Sequence, residues 1–364
     1  MTAPARIPTA QSAGPSPFAD DQEDLKRFEG AYLSPGRMIA VLGVMAALLA
    51  VVAAVAVAFG TVRIDLYRAL TESASPDHAI LFSARLPRVL MGAVVGVVLA
   101  AVGAALQALV RNPLAEGGIL GISGGGAFGA ILALIFGYHL GGPAALVPLC
   151  AFAMALLSTL AVYRLAQVDG RLEPFSLLLI GVIFNAFWGA VIMAVNAVVD
   201  FYHAHSIIAW LMGGLEAPSY YEVAMVAALG LAGFAMLIMR ARDMNLLSLG
   251  DDAAADLGVN IESLRRAIFL ATSVMIGAAV SVSGIIGFVG LIVPHILRLV
   301  LGADHRLLIP ASVFGGAAFL VGADLIARTV IAPAELPVGV ITALCGGPFF
   351  IYLLRREERS ALVG

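Results

Sequence analysis

The sequence predicts an all-α, polytopic membrane protein of about ten helices. Three observations carry this. Apolar residues make up 61% of the chain and charged residues 12%, against about 25% charged in soluble domains. Mean hydropathy is +0.99. Stretches free of Asp, Glu, Lys and Arg recur at lengths near the ~20 residues that cross a bilayer as a helix. A soluble core cannot hide this much apolar surface, so lipid must be part of the solvent.

The spans follow in order. Residues 38–60 form the first and 89–110 the second. The charge-free run 117–163 holds two, divided at Gly141-Gly142-Pro143. Residues 174–199 form the fifth and 223–239 the sixth. The run 267–297 is too long for one helix, and Gly284, Gly287 and Gly290 offer the break between the seventh and eighth. Residues 307–323, continued to 330, form the ninth, and 336–354 the tenth. The membrane domain is therefore 36–356. Ahead of it, residues 1–35 are rich in Ala, Pro and Ser and then acidic at Asp20, Asp21, Glu23 and Asp24. With no basic segment leading into a short apolar core, they read as a flexible cytoplasmic tail and not as a secretory signal. Residues 357–364 form a second short tail.

Ten spans place both termini on one side, and charge orients them. With the termini inside, that side holds most of the basic residues, from Lys26, Arg27 and Arg37 through Arg111, Arg164, Arg240, Arg265, Arg266 and Arg306 to Arg355, Arg356 and Arg359. The outside loop 200–222 has acids and no Arg or Lys. This is the positive-inside asymmetry of a cytoplasmic membrane protein. Arg63, Arg68, Arg85 and Arg88 in the first outside loop, and Arg328 near the outer end of the ninth span, run against it. Arg85, Arg88 and Arg328 are well placed to receive an acidic partner there.

Several chemistries are absent. The net charge is −3, which gives nucleic acid no footprint. A P-loop needs a lysine behind its glycine, but the single lysine, Lys26, follows Leu25 in the tail. The chain has no ATP site of that kind and no expected catalytic residue. Cys150 and Cys345 lie apart in apolar stretches and read as small packing residues, not metal ligands. Gly124 to Gly129 fits a dinucleotide pattern, and Gly121-Ile122-Ser123-Gly124-Gly125 fits a nucleophile elbow. Neither has the strand that such motifs require. Close helix packing through small residues explains both.

Three blocks point to a family. The first is Arg85-Leu86-Pro87-Arg88, then Gln107, then Arg111-Asn112-Pro113-Leu114-Ala115-Glu116 into Gly121-Ile122-Ser123. The second is Asn245 to Asp251, with Ala254, Leu257, Gly258 and Val259. The third runs from Gly284 to His295, through Gly302, Asp304-His305-Arg306, Gly322-Ala323-Asp324 and Arg328, to Leu336-Pro337-Val338-Gly339 and Pro348-Phe349-Phe350. Over residues 38–356 the chain resembles the FecCD family, permeases of type II ATP-binding-cassette importers for iron-siderophores, haem and cobalamin.

The resemblance implies a homodimer of ten-helix subunits in the inner membrane, with the pathway on the dimer axis. Two cytoplasmic ATPases carry ATP and Mg, this chain holds no cofactor, and a binding protein delivers substrate. The loop 241–264, long enough for two short helices with a Gly turn, docks the ATPase. Leu249, Gly250, Asp251, Ala254, Leu257 and Gly258 belong to it. Gly250, Ala254 and Gly258 would share a helical face if the segment were helical, and Arg265 and Arg266 would pair with acids of the ATPase. Arg85, Arg88 and Arg328 match the arginine pockets that receive a glutamate from each lobe of the binding protein, since the guanidinium fork suits a carboxylate. Asp324 can pair with Arg328 four residues on. Asn112 and Leu114 match one half of the cytoplasmic gate, with Pro174 and Phe175 in the other. There a cobalamin-carrying member has a small polar pair, from which this chain departs. His203 and His205, in a loop near the substrate entrance, are of a type that ligates haem. An ion-coupled secondary transporter is the alternative. That class coordinates ions near the midplane, where these spans carry almost no acid.

Overall fold

The computed structural model describes residues 34–137, 143–216 and 218–363. The expected tails up to residue 33, the dividing Gly141 and Gly142, and the side chains of Arg356 and Arg359 lie outside the described residues. The chain divides into two units, Met1–Val41 and Leu42–Gly364. The described part of the first is the start of helix α1; the second holds everything discussed below.

Helices dominate the described residues. In order they are α1 Pro35–Ala58, α2 Leu66–Thr71, α3 Pro76–Ala79 continuing through a π-helical turn at Ile80–Arg85 into α4 Leu86–Leu109, α5 Ile122–Phe136, and α6 Pro143–Leu165. A hairpin of β1 Gln167–Val168 and β2 Arg171–Leu172 follows, then α7 Pro174–Val198, α8 Phe201–Leu211 and α9 Tyr220–Met239. The remainder is α10 Ala241–Leu247, α11 Asp251–Asp256, α12 Ile261–Ser283, α13 Val289–Leu301, α14 His305–Thr329 and α15 Val338–Val363. Among the described residues seven helices are long and apolar enough to cross a membrane, and α5, α13 and the Val338–Tyr352 part of α15 are shorter apolar helices. Together they coincide with the ten expected apolar runs.

The buried spans are α4, α12 and α14, while α1 and α7 expose most of their surface. Close backbone approach fixes the centre. A Cβ on Gly96 would collide with the Gly316 carbonyl of α14, and one on Gly103 with the Gly290 carbonyl of α13. Apolar side chains gain little by leaving lipid for one another, so small residues that let backbones touch hold such helices together. Gly125 and Gly129 do the same between α5 and α6, facing Ser158 and Cys150. The glycine run is thus a packing stripe. Of the two cysteines, Cys150 is half-buried but Cys345 is exposed on α15, which corrects its reading as a packing residue.

Two helices are too short to cross. At 1.5 Å per residue, α5 and α13 reach only about 20 Å of the ~30 Å hydrocarbon. Each follows an irregular stretch, 110–121 before α5, which holds only a 3-10 turn at Gly117–Leu120, and 284–288 before α13. Gly284 takes φ +64°, and Phe288 adopts the left-handed conformation at φ 68°. The expected glycine break is therefore at Gly284 and Gly287, while Gly290 is already inside α13. Irregular backbone at such depth needs protein partners, and the two stretches supply them to each other, as described below. The hairpin was not foreseen. Asp169 and Gly170 both have positive φ, the two-residue turn that matches strand twist, and it delivers the chain to Pro174.

Candidate functional site

The polar residues gather at the two ends of α4, about 36 Å apart for a helix of this length. At its C-terminal end, Arg111 turns the chain with φ 50°. Asn112 then folds back, its Oδ1 accepting from Leu114 N at 2.8 Å. Across from it, Glu173 caps α7, accepting from Phe175 N at 3.0 Å and from Ser176 N. Burial alone would raise the Glu173 carboxyl, but these N–H groups outweigh it and hold it below its usual range. Asn112, Pro113, Pro174 and Phe175 line one cavity of about 550 Å³, together with Arg111 and Arg265. The structure thus brings three expected gate residues together; Leu114 lies behind them, tied by its turn.

The 241–264 segment forms two short helices, α10 and α11, as expected, but the shared small-residue face does not exist. Gly250 (φ +114°) and Gly258 (φ +88°) are turn positions flanking the six-residue α11, and Ala254 is fully buried. The large apolar residues it turns outward are Leu249 and Leu257, both strongly exposed. Arg265 is also corrected: it is buried and engaged within the chain. Its Nη2 meets Asp251 Oδ2 at 2.6 Å and its Nη1 donates to Leu172 O at 3.2 Å. The other oxygen of Asp251 meets Arg111 Nη2 at 2.5 Å. Arg266 is half-exposed and paired with Glu262 at 2.7 Å on its own helix.

A second connection was not read from the sequence. Asn245 of α10 donates to Asp304 Oδ1 at 2.7 Å and accepts from His305 N at 2.8 Å, binding the loop to the start of α14. Burial would raise the Asp304 carboxyl, but hydrogen bonds from Arg306 and Asn245 prevail and lower it to about 2.

At the other end of α4, Arg85, Arg88 and Arg328 share a cavity of about 210 Å³ with Glu335. Arg85, Arg88 and Arg328 are expected to receive an acidic partner from outside, but each is engaged within the chain. Arg85 is buried, and it donates from Nη1 to Val57 O and Ala58 O at 2.9 and 2.8 Å and from Nη2 to Val62 O. It satisfies carbonyls that the end of α1 leaves open. Arg328 is buried, with Nη2 donating to Ala56 O at 2.8 Å and Nε 3.1 Å from Asp324. The expected Asp324–Arg328 pairing along the helix is present. Arg88 embraces the same carboxylate, Nε and Nη2 each 2.9 Å from Asp324 Oδ1, and sends Nη1 to Glu335 at 2.6 Å. Three arginines against two acids leave one positive charge.

His203 and His205 lie in helix α8, not in a loop. Two residues apart on a helix, they face different directions. His203 Nδ1 is 2.5 Å from Asp200 Oδ2, the residue capping that helix. Among the described residues no group of three His, Cys, Asp or Glu side chains is placed to hold a metal ion.

Sequence reasoning also passed over Glu116. Its Oε2 accepts from Phe288 N at 2.9 Å, joining the two irregular stretches at the N-terminus of α13. Nearby, Gln107 donates to Gly290 O at 3.3 Å. Both residues lie in the first block; the signal was an amide inside the charge-free run 89–110 and an acid at the edge of the run 117–163. The spans and their breaks therefore hold two deep carboxylates, Glu116 and Asp324, more than sequence reading allowed. Each is committed to partners within the protein.

Ten apolar helices, two of them halved by irregular backbone, with polar clusters at both ends and a cavity between α4 and α7, define a polytopic membrane transport subunit. Residues 46–356 match the model of the FecCD transport family. The chain is 38% identical over 325 residues to the hemin transport system permease protein HmuU of Yersinia pestis, covering 88% of this chain and 97% of that one. It is 42% identical over 303 residues to the cobalamin import system permease protein BtuC of Halobacterium salinarum (81% and 79% covered). It is 39% identical over 285 residues to the iron(3+)-hydroxamate import system permease protein FhuB of Bacillus subtilis (78% and 73%). Among solved structures it resembles an inward-facing conformation of a transporter assigned to the metal-chelate ABC type, with TM-score 0.76, 30% identity, and 87% and 99% of the two chains covered. The chain belongs to the FecCD transport family.

Proposed function

We propose that this chain is the permease subunit of an ATP-driven importer that carries an iron chelate, haem or cobalamin inward. Two copies enclose the pathway in the inner membrane, with both termini in the cytoplasm. The observation that carries the reading is the 550 Å³ cavity, where the ends of α4 and α7 face each other beside a folded loop. Relatives named for hemin, cobalamin and ferric hydroxamate align with 88%, 81% and 78% of this chain, which supports bulky chelates as the cargo class. ATP and Mg reside on a separate ATPase, which seats against Leu249 and Leu257, the apolar residues the loop turns outward. A binding protein docks at Arg88. An incoming carboxylate displaces Glu335 there, while Arg85 and Arg328 hold the pocket's shape. The tail before residue 36 lies on the cytoplasmic side.

Co-expression with the ATPase and binding protein in membrane vesicles tests the reading. Vanadate-sensitive uptake of hemin, ferric hydroxamate or cobalamin is expected, and none without the ATPase. Uptake that persists without any ATPase and follows an ion gradient overturns it.

A further inference from the structure

One carboxylate ties the loop to both sides of the cavity. Asp251 opens α11 directly after Gly250, and its two oxygens serve different arginines, Arg111 at 2.5 Å and Arg265 at 2.6 Å. Arg111 immediately precedes Asn112 at the left-handed turn that ends α4. Arg265 holds Leu172 O at 3.2 Å, two residues before Pro174. The loop therefore reaches the α4 side of the cavity through Arg111 and the α7 side through Arg265.

We propose that Asp251 is a positioning residue that passes movement of the 241–264 loop to both walls of this cavity, so that they open and close together. The inference rests on the reading above, in which an ATPase moves the loop. Three observations support it beyond proximity. Both pairs use charge-assisted contacts, the strongest kind of hydrogen bond. Asp251 and Arg111 are each about two-fifths exposed, so water screens their attraction and the Arg111 arm of the bridge adds little to the stability of the fold. Arg265 is buried, its Nε has no partner, and Asp251 is the carboxylate in direct contact with it, while Glu173 acts on it from the cavity wall. A screened contact to Arg111 that does little for stability, sharing one carboxylate with the buried contact to Arg265, suits transmission from the loop to both cavity walls better than scaffolding.

The test uses the chain assembled with its ATPase in inverted membrane vesicles. Cys150 and Cys345 are replaced by Ala, and Phe175→Cys serves as the reporter, because Phe175 is strongly exposed in the cavity wall. The readout is the rate of labelling by a membrane-impermeant maleimide, with and without ATP and vanadate. Trapped nucleotide per complex is scored alongside, which separates loss of gating from loss of the ATPase. With Asp251 intact, nucleotide trapping is expected to change the rate about tenfold, the size of a modest population shift. Arg111→Gln cuts the bridge from the cavity side and leaves the loop sequence untouched; Asp251→Asn cuts both arms. Both are expected to reduce the response per trapped nucleotide below about twofold, with Arg111→Lys restoring part of it. If Asp251→Asn fails to assemble, Arg111→Gln alone decides. A full response in Arg111→Gln overturns the inference and leaves the importer reading standing. No response in the chain with Asp251 and Arg111 intact overturns the importer reading, and the inference with it.

Discussion

Asp324→Asn removes one charge from the centre of a buried cluster. Asp324 and Arg328 are 2% and 3% exposed. The carboxylate meets Arg88 at 2.9 Å and Arg328 at 3.1 Å. With asparagine there, Arg328 keeps only the Ala56 carbonyl, and Arg88 keeps Glu335. Removing one partner of a buried ion pair costs about 3–5 kcal/mol, because the remaining charge stays desolvated. Arg88 retains a second acid, so the lower end of that range is expected. Replacing charge on both sides is different, since an apolar pair of similar volume is often neutral. The double variant Asp324→Leu with Arg328→Met should therefore lose less than the single one. Equilibrium denaturation of the purified chain in mixed micelles, followed by tryptophan fluorescence, measures both. A single variant within about 0.5 kcal/mol of the parent, the range of ordinary surface changes, refutes the reasoning. So does a double variant less stable than the single one.

Glu116→Ala leaves the Phe288 N–H without its acceptor, and the same denaturation should show a loss of about 1–3 kcal/mol, the cost of an unmade buried hydrogen bond. Glu116→Gln keeps an acceptor oxygen and should lose clearly less; equal losses would mean the charge matters and the bond does not. The Asp304 carboxyl is lowered from 3.8 to about 2 in the folded chain, so its contribution is complete above pH about 4 and disappears as pH falls towards 2. Asp304→Asn should therefore reduce stability at neutral pH and flatten the acid limb over that window; a parent and variant that lose stability in parallel between pH 4 and 2 would exclude this role.

Much of the fold is legible because lipid imposes a simple rule. A helix must satisfy its own backbone, so charge-free runs near the bilayer thickness become spans. The runs ending at Arg111, Arg164 and Arg240 did so within a few residues. The shortened α5 and α13 were less legible, because their length depends on where irregular backbone finds partners. Glu116 and Phe288 are 172 residues apart in the chain, and no local pattern pairs them. The loop misled for a similar reason. Gly250, Ala254 and Gly258 have helical spacing, but positive φ at both glycines confines the helix to α11 between them.

The sequence by itself determined the membrane, the count of spans, the absence of a P-loop and the family, because composition, run length and motif order are local properties of the chain. Only the tertiary structure decided which charged residues are free. Arg85, Arg328 and Arg265 looked like outward hands and are internal clamps, whereas Asp251, Asn245 and Glu116 join elements far apart in sequence. A buried charge must be neutralised where it lies, and whether it is buried depends on which helices pack around it.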